Sequence, residues 1–115
     1  MSNPVSLKLK ETERLTFAFM AADTVNTYNL DVQGMLRMII LELPDFTTGS
    51  PTCTVQIKNK KSLVVWSVAG LAENTQHNLL IEDGLCPVGV DSDLVLTLSG
   101  AAGGTNLAFV TLFLR

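Results

Sequence analysis

The chain has 115 residues, of which 47% are hydrophobic and 17% are charged, and its formal net charge is −3. This composition excludes intrinsic disorder, which requires low hydrophobicity and a high net charge, and the acidic balance argues against a nucleic-acid-binding protein. The length suits one domain, and so few charges indicate that part of the folded surface is covered by a partner or by copies of the chain.

The basic residues are unevenly distributed along the chain. Seven of the eight lie at or before Lys61, whereas residues 62–115 carry one basic and five acidic side chains. This distribution is compatible with ordinary scatter of surface charge. It is also compatible with a polarised molecule that docks one end on an acidic surface.

The first ten residues alternate between apolar and polar side chains. Val5 and Leu7 alternate with Ser6, Lys8 and Lys10. We predict an N-terminal arm or first strand over residues 1–10 and a single β-sandwich domain over residues 11–115. Such an arm can add a strand to a neighbour's sheet, or it can pair within its own sheet.

The next part of the chain predicts four more strands. They cover residues 15–19, 35–43, 53–58 and 63–69, and residues 21–29 are predicted to form a loop. A helix competes over residues 35–43, but Ile39, Ile40 and the following Pro44 favour a strand. The runs at 53–58 and 63–69 predict a hairpin, with Val64, Trp66 and Val68 on one face.

Residues 70–77 are predicted to be a connection with a single helical turn at 71–73. Leu79 and Ile81 indicate a short strand, residues 82–84 a turn, and residues 85–90 an edge segment because they contain Pro87.

Residues 94–114 contain no charged side chain, so a membrane-spanning helix must be considered. Gly100, Gly103 and Gly104 interrupt the stretch, and apolar residues recur at every second position on both sides. This pattern predicts a β-hairpin instead of a membrane helix. The last strand is apolar on both faces, which predicts a central, covered position or a contact between subunits.

About eight short strands separated by turns predict an all-β fold, an antiparallel β-sandwich of jelly-roll type.

The sequence contains few residues of the types that form catalytic or metal-binding sites. The single histidine, His77, can be combined with Ser67 and Asp83, but a catalytic triad is recognised by geometry and not by the presence of the three residue types. The cysteines, Cys53 and Cys86, have no zinc-site spacing and are expected to be buried free thiols, with a disulfide between them as the alternative. We therefore expect a non-enzymatic protein without cofactor or metal.

Lys58, Lys60 and Lys61 form the densest basic cluster, on a predicted hairpin tip. They predict either a solvated turn or a contact with an acidic surface. Nucleic acid is disfavoured because the nearby Trp66 alternates into the core and leaves no exposed aromatic to stack on bases.

Several turn and strand sequences carry a resemblance to a known family. They are residues 71–75 (Leu-Ala-Glu-Asn-Thr), Gly89, residues 96–105 (Leu-Thr-Leu-Ser-Gly-Ala-Ala-Gly-Gly-Thr) and the closing apolar strand to Arg115. Over about residues 60–115 the chain resembles jelly-roll capsid decoration (cement) proteins of tailed bacteriophages.

The resemblance implies a protein added to the outside of a phage capsid, often as a dimer or trimer, that bridges neighbouring copies of the major capsid protein. It implies a location on the virion surface, made in the host cytoplasm, without nucleic-acid or membrane partners. A phage tail or baseplate protein, or a glycan-binding module for a host surface, is the alternative. The candidate partner-binding residues are Val5, Leu7, Lys8, Lys10, Lys58, Lys60, Lys61, Phe113 and Arg115.

Overall fold

The computed structural model describes residues 10–81 and 86–115, which form ten β-strands and no helix. In chain order the strands are β1 (Lys10–Glu11), β2 (Leu15–Phe19), β3 (Val25–Asn29), β4 (Gly34–Leu43), β5 (Cys53–Lys58), β6 (Val64–Leu71), β7 (Thr75–Leu80), β8 (Pro87–Val88), β9 (Asp93–Leu98) and β10 (Asn106–Leu114).

The strands form two antiparallel sheets. Sheet A has the order β2-β10-β4-β7, with the two-residue strands β1 and β8 beside β10 and β4. Sheet B has the order β3-β9-β5-β6. The prediction of an all-β antiparallel sandwich is therefore confirmed.

The strand pairs are nested along the chain. The innermost pair is β5 with β6, followed outward by β4 with β7, β3 with β9, and β2 with β10. A long hairpin folded over in this way, with its pairs alternating between two sheets, is a jelly roll. Eight of the ten strands belong to this scheme, in agreement with the predicted fold type.

The core lies between the two sheets and consists of alternate residues on each strand. On β10 the inward side chains are Ala108, Val110, Leu112 and Leu114, each at most 2% exposed. Leu94, Leu96 and Leu98 of β9 face them from sheet B. Removing this apolar surface from water is the main stabilisation of the fold.

The predicted loop at residues 21–29 is wrong in its second half. Val25–Asn29 is an edge strand, paired with β9 so that Val25 lies opposite Thr97. The strand reads Val-Asn-Thr-Tyr-Asn and is mostly exposed. An edge strand of this kind buries little, so apolar alternation, the signal used for the prediction, is absent from it.

The predicted hairpin across residues 94–114 is also wrong. Both strands exist, but β9 belongs to sheet B and β10 to sheet A. The glycine loop crosses from one sheet to the other, and its backbone bonds to two other loops: Thr47 N donates to Ala102 O, and Gly103 N donates to Ala21 O. Among the described residues, no helix is long and apolar enough to cross a membrane.

The predicted connection at residues 70–77 is shorter than expected. Strand β6 runs to Leu71 without a helical turn, and β7 begins at Thr75, which places His77 on a strand opposite Leu41. Pro87 lies on the short strand β8, at an edge as predicted. The turn predicted at 82–84 lies outside the described residues.

Candidate interaction surface

The outer face of sheet A is unusually apolar along β10. Because inward and outward residues alternate, Leu107, Phe109, Thr111 and Phe113 point away from the core. Phe109 and Phe113 are half-buried, although no other layer of the described structure lies over this face. The sequence correctly indicated a strand that is apolar on both faces.

The apolar outer surface of β10 continues onto the neighbouring strands β4 and β7. Phe113 lies opposite Met38 on β4, and Met38 lies opposite Leu80 on β7, which is 66% exposed. Two residues earlier on β10, Thr111 also points away from the core and lies opposite Ile40 on β4. We call these five residues, Met38, Ile40, Leu80, Thr111 and Phe113, the sheet A patch.

At one end of this apolar surface, Arg14 contacts both Phe109 and Glu42. The guanidinium carbon of Arg14 lies 3.6 Å from the ring centroid of Phe109. Its nitrogens donate to both carboxylate oxygens of Glu42, at 3.1 and 3.0 Å. Phe109 is therefore covered by the chain itself, whereas the sheet A patch has no charged member. Thr111 is 9% exposed, and Glu11 of β1 borders the patch opposite Phe113. A largely apolar sheet face of this kind is typical of a protein contact surface.

Sequence reasoning found Phe113 but missed Met38 and Leu80. Leu79 and Leu80 are adjacent, and adjacent residues of a strand point to opposite faces. The sequence therefore indicated that one of these two leucines faces outward. Leu79 packs against the core and Leu80 is exposed.

Of the other predicted partner-binding residues, those that the structure describes lie outside the sheet A patch. Lys10 is exposed on β1, opposite Leu114. The backbone N–H and C=O of Arg115 pair with those of Met35. Val5, Leu7 and Lys8 lie outside the described residues.

The predicted basic tip belongs to sheet B. Asn59 organises the turn, because its Oδ1 accepts the backbone N–H groups of Lys61 and Leu63 at 2.9 and 3.1 Å. Lys60 and Lys61 are exposed, whereas Lys58 is half-buried and lies opposite Asp93 on β9. The structure thus places these lysines on sheet B and Phe113 on sheet A.

Strand β6 presents a second apolar feature, at the edge of sheet B. Leu63, Val64 and Val65 are 60%, 48% and 37% exposed. Trp66 and Val68 face inward as predicted, but Val64 lies opposite Lys58 because the register shifts between Ile57 and Lys58. The predicted common face of Val64, Trp66 and Val68 is therefore wrong for Val64.

The two cysteines are buried and unpaired, as predicted. Burial raises the pKa of the Cys53 thiol to about 12 and that of the Cys86 thiol to about 11, because a thiolate would lose its hydration. Both thiols are thus protonated near neutral pH, which makes them poor nucleophiles and poor partners for a disulfide.

A surface cleft of about 190 Å³ lies beside the ends of β2 and β3. It is lined by Thr12, Glu13, Leu15, Tyr28, Leu30, Asp31 and Val32. Its volume is below the range of about 300–1,000 Å³ usual for small-molecule sites. The cleft is therefore a weaker candidate for function than the sheet A patch.

Within residues 10–81 and 86–115, no three His, Cys, Asp or Glu side chains are grouped so as to hold a metal ion. His77 is half-buried, and its Nε2 lies 2.8 Å from the carbonyl oxygen of Ala72. Asp83, the acid of the triad considered above, lies outside the described residues.

Comparison with known proteins yields a fold relative. The chain is similar to a solved structure from the work describing Bacillus endospore appendages as a novel family of disulfide-linked pili, with 14% sequence identity and a TM-score of 0.50. The similarity covers 94% of this chain and 88% of that chain, and at this identity it concerns the fold. No protein-family model and no curated protein sequence matches the chain.

Proposed function

We propose that the protein is a non-enzymatic structural protein that works by burying sheet surface against other subunits of a large assembly. The observation that carries this proposal is the sheet A patch, in which the apolar side chains Phe113, Met38 and Leu80 of three neighbouring strands lie in one row. Glu11 of β1 borders this row beside Phe113. Removing such a face from water on contact contributes roughly 25 cal/mol per Å² of apolar area.

The assembly we propose is the outer surface of a phage capsid, where the protein bridges neighbouring capsid subunits. Support comes from the resemblance of residues 60–115 to decoration proteins and from the low charged fraction of 17%. A partner contact of ordinary size buries about 800 Å² on each side, an area that the sheet A patch and its surroundings can contribute to. Homo-oligomerisation of the protein would multiply such contacts without any new chemistry.

A pilus-like polymer is the second candidate, and the fold likeness over 94% of the chain favours it. The similar protein is described as forming disulfide-linked pili. In this chain both cysteines are buried, so a polymer would have to be held by non-covalent contacts such as the sheet A patch.

The glycan-binding alternative predicts exposed aromatic side chains on loops. All seven aromatic residues lie in the described part of the chain, and six of them are on strands. The seventh, Phe46, is in a loop but is 5% exposed. These positions give the glycan-binding reading little support.

The test begins with light scattering of the purified protein on a size-exclusion column, alone and after mixing with phage capsids, followed by co-sedimentation and electron microscopy. We expect association with capsids, with itself, or with both. Leu80→Glu should weaken that association by about tenfold or more, because it places a charge in an apolar contact. The matched control is Val90→Glu, since Val90 is similarly exposed, at 52%, but lies outside both sheets.

A monomer that binds no capsid and forms no polymer would refute the proposed function. Equal effects of Leu80→Glu and Val90→Glu would refute the role of the sheet A patch. Strong hits on a glycan array would replace the proposal by the glycan-binding reading.

A further inference from the structure

One end of sheet B has the surface cleft on one side and the basic tip on the other. Asp93, the first residue of β9, pairs with Asn29, the last residue of β3, and with Lys58, the last residue of β5. The chain leaves β3 into the lining of the cleft and leaves β5 into the basic tip. Because neighbouring strands are about 4.8 Å apart, the cleft and the tip begin about 10 Å from each other, with β9 midway between them.

The cleft side of this end is acidic. Glu13 and Asp31 line the cleft, and both are exposed. Asp91 is also exposed, and it is held beside the cleft because its backbone N–H donates to the carbonyl oxygen of Leu30, a lining residue, at 3.1 Å. The described lining contains no basic side chain. The charges around the cleft therefore favour a cation.

The interior of the cleft is apolar and has room for one large side chain. Leu15, Tyr28, Leu30 and Val32 form most of its lining. A cavity of about 150 Å³ holds a molecule of the size of benzene, so the cleft volume of about 190 Å³ accommodates one side chain. Tyr28 is 39% exposed. An apolar space flanked by exposed carboxylates fits lysine, whose methylene stem is buried while its ammonium stays beside the charges.

The basic tip presents lysines on an ordered turn. Lys60 and Lys61 are exposed, and the side chain of Asn59 fixes the backbone around them. Two backbone hydrogen bonds close the turn, from Asn59 N–H to Leu63 O at 2.9 Å and from Ser62 N–H to Asn59 O at 2.8 Å. A turn that is ordered before contact loses little conformational entropy on binding.

We infer that two copies of this chain associate end to end, and that each places the exposed lysines of its basic tip, Lys60 and Lys61, against the cleft of the other. A lysine ammonium then lies beside Glu13 and Asp31 of the second copy. The inference deepens the proposed function, and rests on it, by naming the contact that joins copies.

The position of β9 makes this contact symmetric. The cleft side and the tip side each lie one strand away from β9, in opposite directions across sheet B. A two-fold axis through the end of β9, perpendicular to the sheet, therefore exchanges the two sides. Each acidic side then meets a basic side, and the symmetry makes this contact twice.

Reversing the charge on either side should weaken the contact. The cleft variant carries Glu13→Lys and Asp31→Lys, and the tip variant carries Lys60→Glu and Lys61→Glu. Each variant places like charges in both symmetry-related contacts and should raise the dimer dissociation constant about tenfold at low salt. Sedimentation velocity measures the constant. All four residues are exposed, so the fold should be retained.

Mixing the two variants provides the sharpest test. An equimolar mixture should form a heterodimer with about the wild-type affinity, because an acidic tip then meets a basic cleft and a basic tip meets an acidic cleft. The matched control for the cleft variant carries Glu11→Lys and Asp45→Lys, the same charge change at two exposed residues outside the cleft. This control should dimerise with itself and should not restore dimerisation of the tip variant.

Carbodiimide cross-linking identifies the residues in contact. The reagent joins a lysine amine to a carboxylate that touches it, and a mixture of isotope-labelled and unlabelled protein separates links between chains from links within one chain. We expect links between the lysines of the basic tip and Glu13 or Asp31 in different chains.

The inference is overturned if the wild-type protein forms no dimer, if the mixed cleft and tip variants form no heterodimer, if the control weakens the dimer as much as the cleft variant, or if the cross-links form only within one chain. Each of these results leaves the proposed function standing if the protein still binds capsids or polymerises. Failure of the proposed function is scored separately, by the absence of any assembly in the co-sedimentation and microscopy experiments.

Discussion

The guanidinium of Arg14 lies over the outer face of Phe109, with its central carbon 3.6 Å from the ring centroid. The same guanidinium holds the Glu42 carboxylate through two hydrogen bonds. One side chain thus covers an outward aromatic of β10 and ties it to β4. The sheet A patch begins where this cover ends.

Replacing Arg14 by alanine should therefore lower stability and extend the exposed apolar strip. We expect a loss of about 1 kcal/mol, the sum of an exposed cation–π contact and a surface ion pair whose partners are 55% and 34% exposed. Urea unfolding of Arg14→Ala measures it, with Arg14→Lys as the variant that keeps the charge. Because salt screens the ion pair, the loss should shrink at high ionic strength, and a loss that grows with salt would contradict the account.

Shortening an inward and an outward side chain of sheet A should have different effects on the free energy of unfolding. Leu41 faces inward and is 0% exposed, so Leu41→Ala should reduce the free energy of unfolding by about 2–5 kcal/mol through lost burial and a cavity. Leu80 faces outward, and Leu80→Ala should change it by less than about 0.5 kcal/mol while weakening assembly. Similar losses in both variants would mean that Leu80 is packed within the subunit.

The buried thiols predict a loss of stability at alkaline pH. Burial raises the pKa of Cys53 from 9.0 to about 12 and that of Cys86 from 9.0 to about 11. Above pH 9 the unfolded chain releases these protons while the folded chain retains them, so the free energy of unfolding falls as pH rises. Each thiol contributes a slope of up to about 1.4 kcal/mol per pH unit. This slope ends near pH 11 for Cys86 and near pH 12 for Cys53.

Urea unfolding from below pH 9 to about pH 11 measures this slope. Cys53→Ala should be less stable at neutral pH but should show a shallower decline, because one of the two thiols is gone. All ionisable groups other than the Cys53 thiol are common to both proteins, so their effects cancel in the comparison. An unchanged slope in Cys53→Ala would show that its thiol is not protected from ionisation in the folded state.

The loop between β9 and β10 provides a paired glycine test. Gly103 has a φ of +81°, and a Cβ there would collide with Thr48 Oγ1 and approach the Thr48 backbone nitrogen to 3.0 Å. Gly100 has no positive φ and nothing within 4 Å of such a Cβ. Gly103→Ala should cost about 1–3 kcal/mol and Gly100→Ala should be nearly neutral. Thermal unfolding of both variants compares them, and equal midpoints would contradict the tight packing of this loop.

Much of the fold was readable along the chain. The period-two pattern places Val55 and Ile57 on the inner face of β5, and Leu94, Leu96 and Leu98 on that of β9, as the structure has them. This works because the direction of a side chain in a strand depends on local backbone geometry alone. The sequence analysis missed strand β3, because the exposed edge position of Val25–Asn29 imposes no apolar pattern on it.

The interaction surfaces depend on pairing between distant segments. The apolar outer face of β10, which includes Phe113, can be recognised from the sequence of that strand alone. Its junction with Met38 and Leu80 cannot, because it requires β10, β4 and β7 to be neighbours in one register. Likewise, the sequences of β9 and β10 predict a hairpin. In the structure the two strands belong to different sheets, and each buries its inner face in the core between them. Alternation along a strand can be read from a few residues, whereas sheet partners are selected by burying the whole core together.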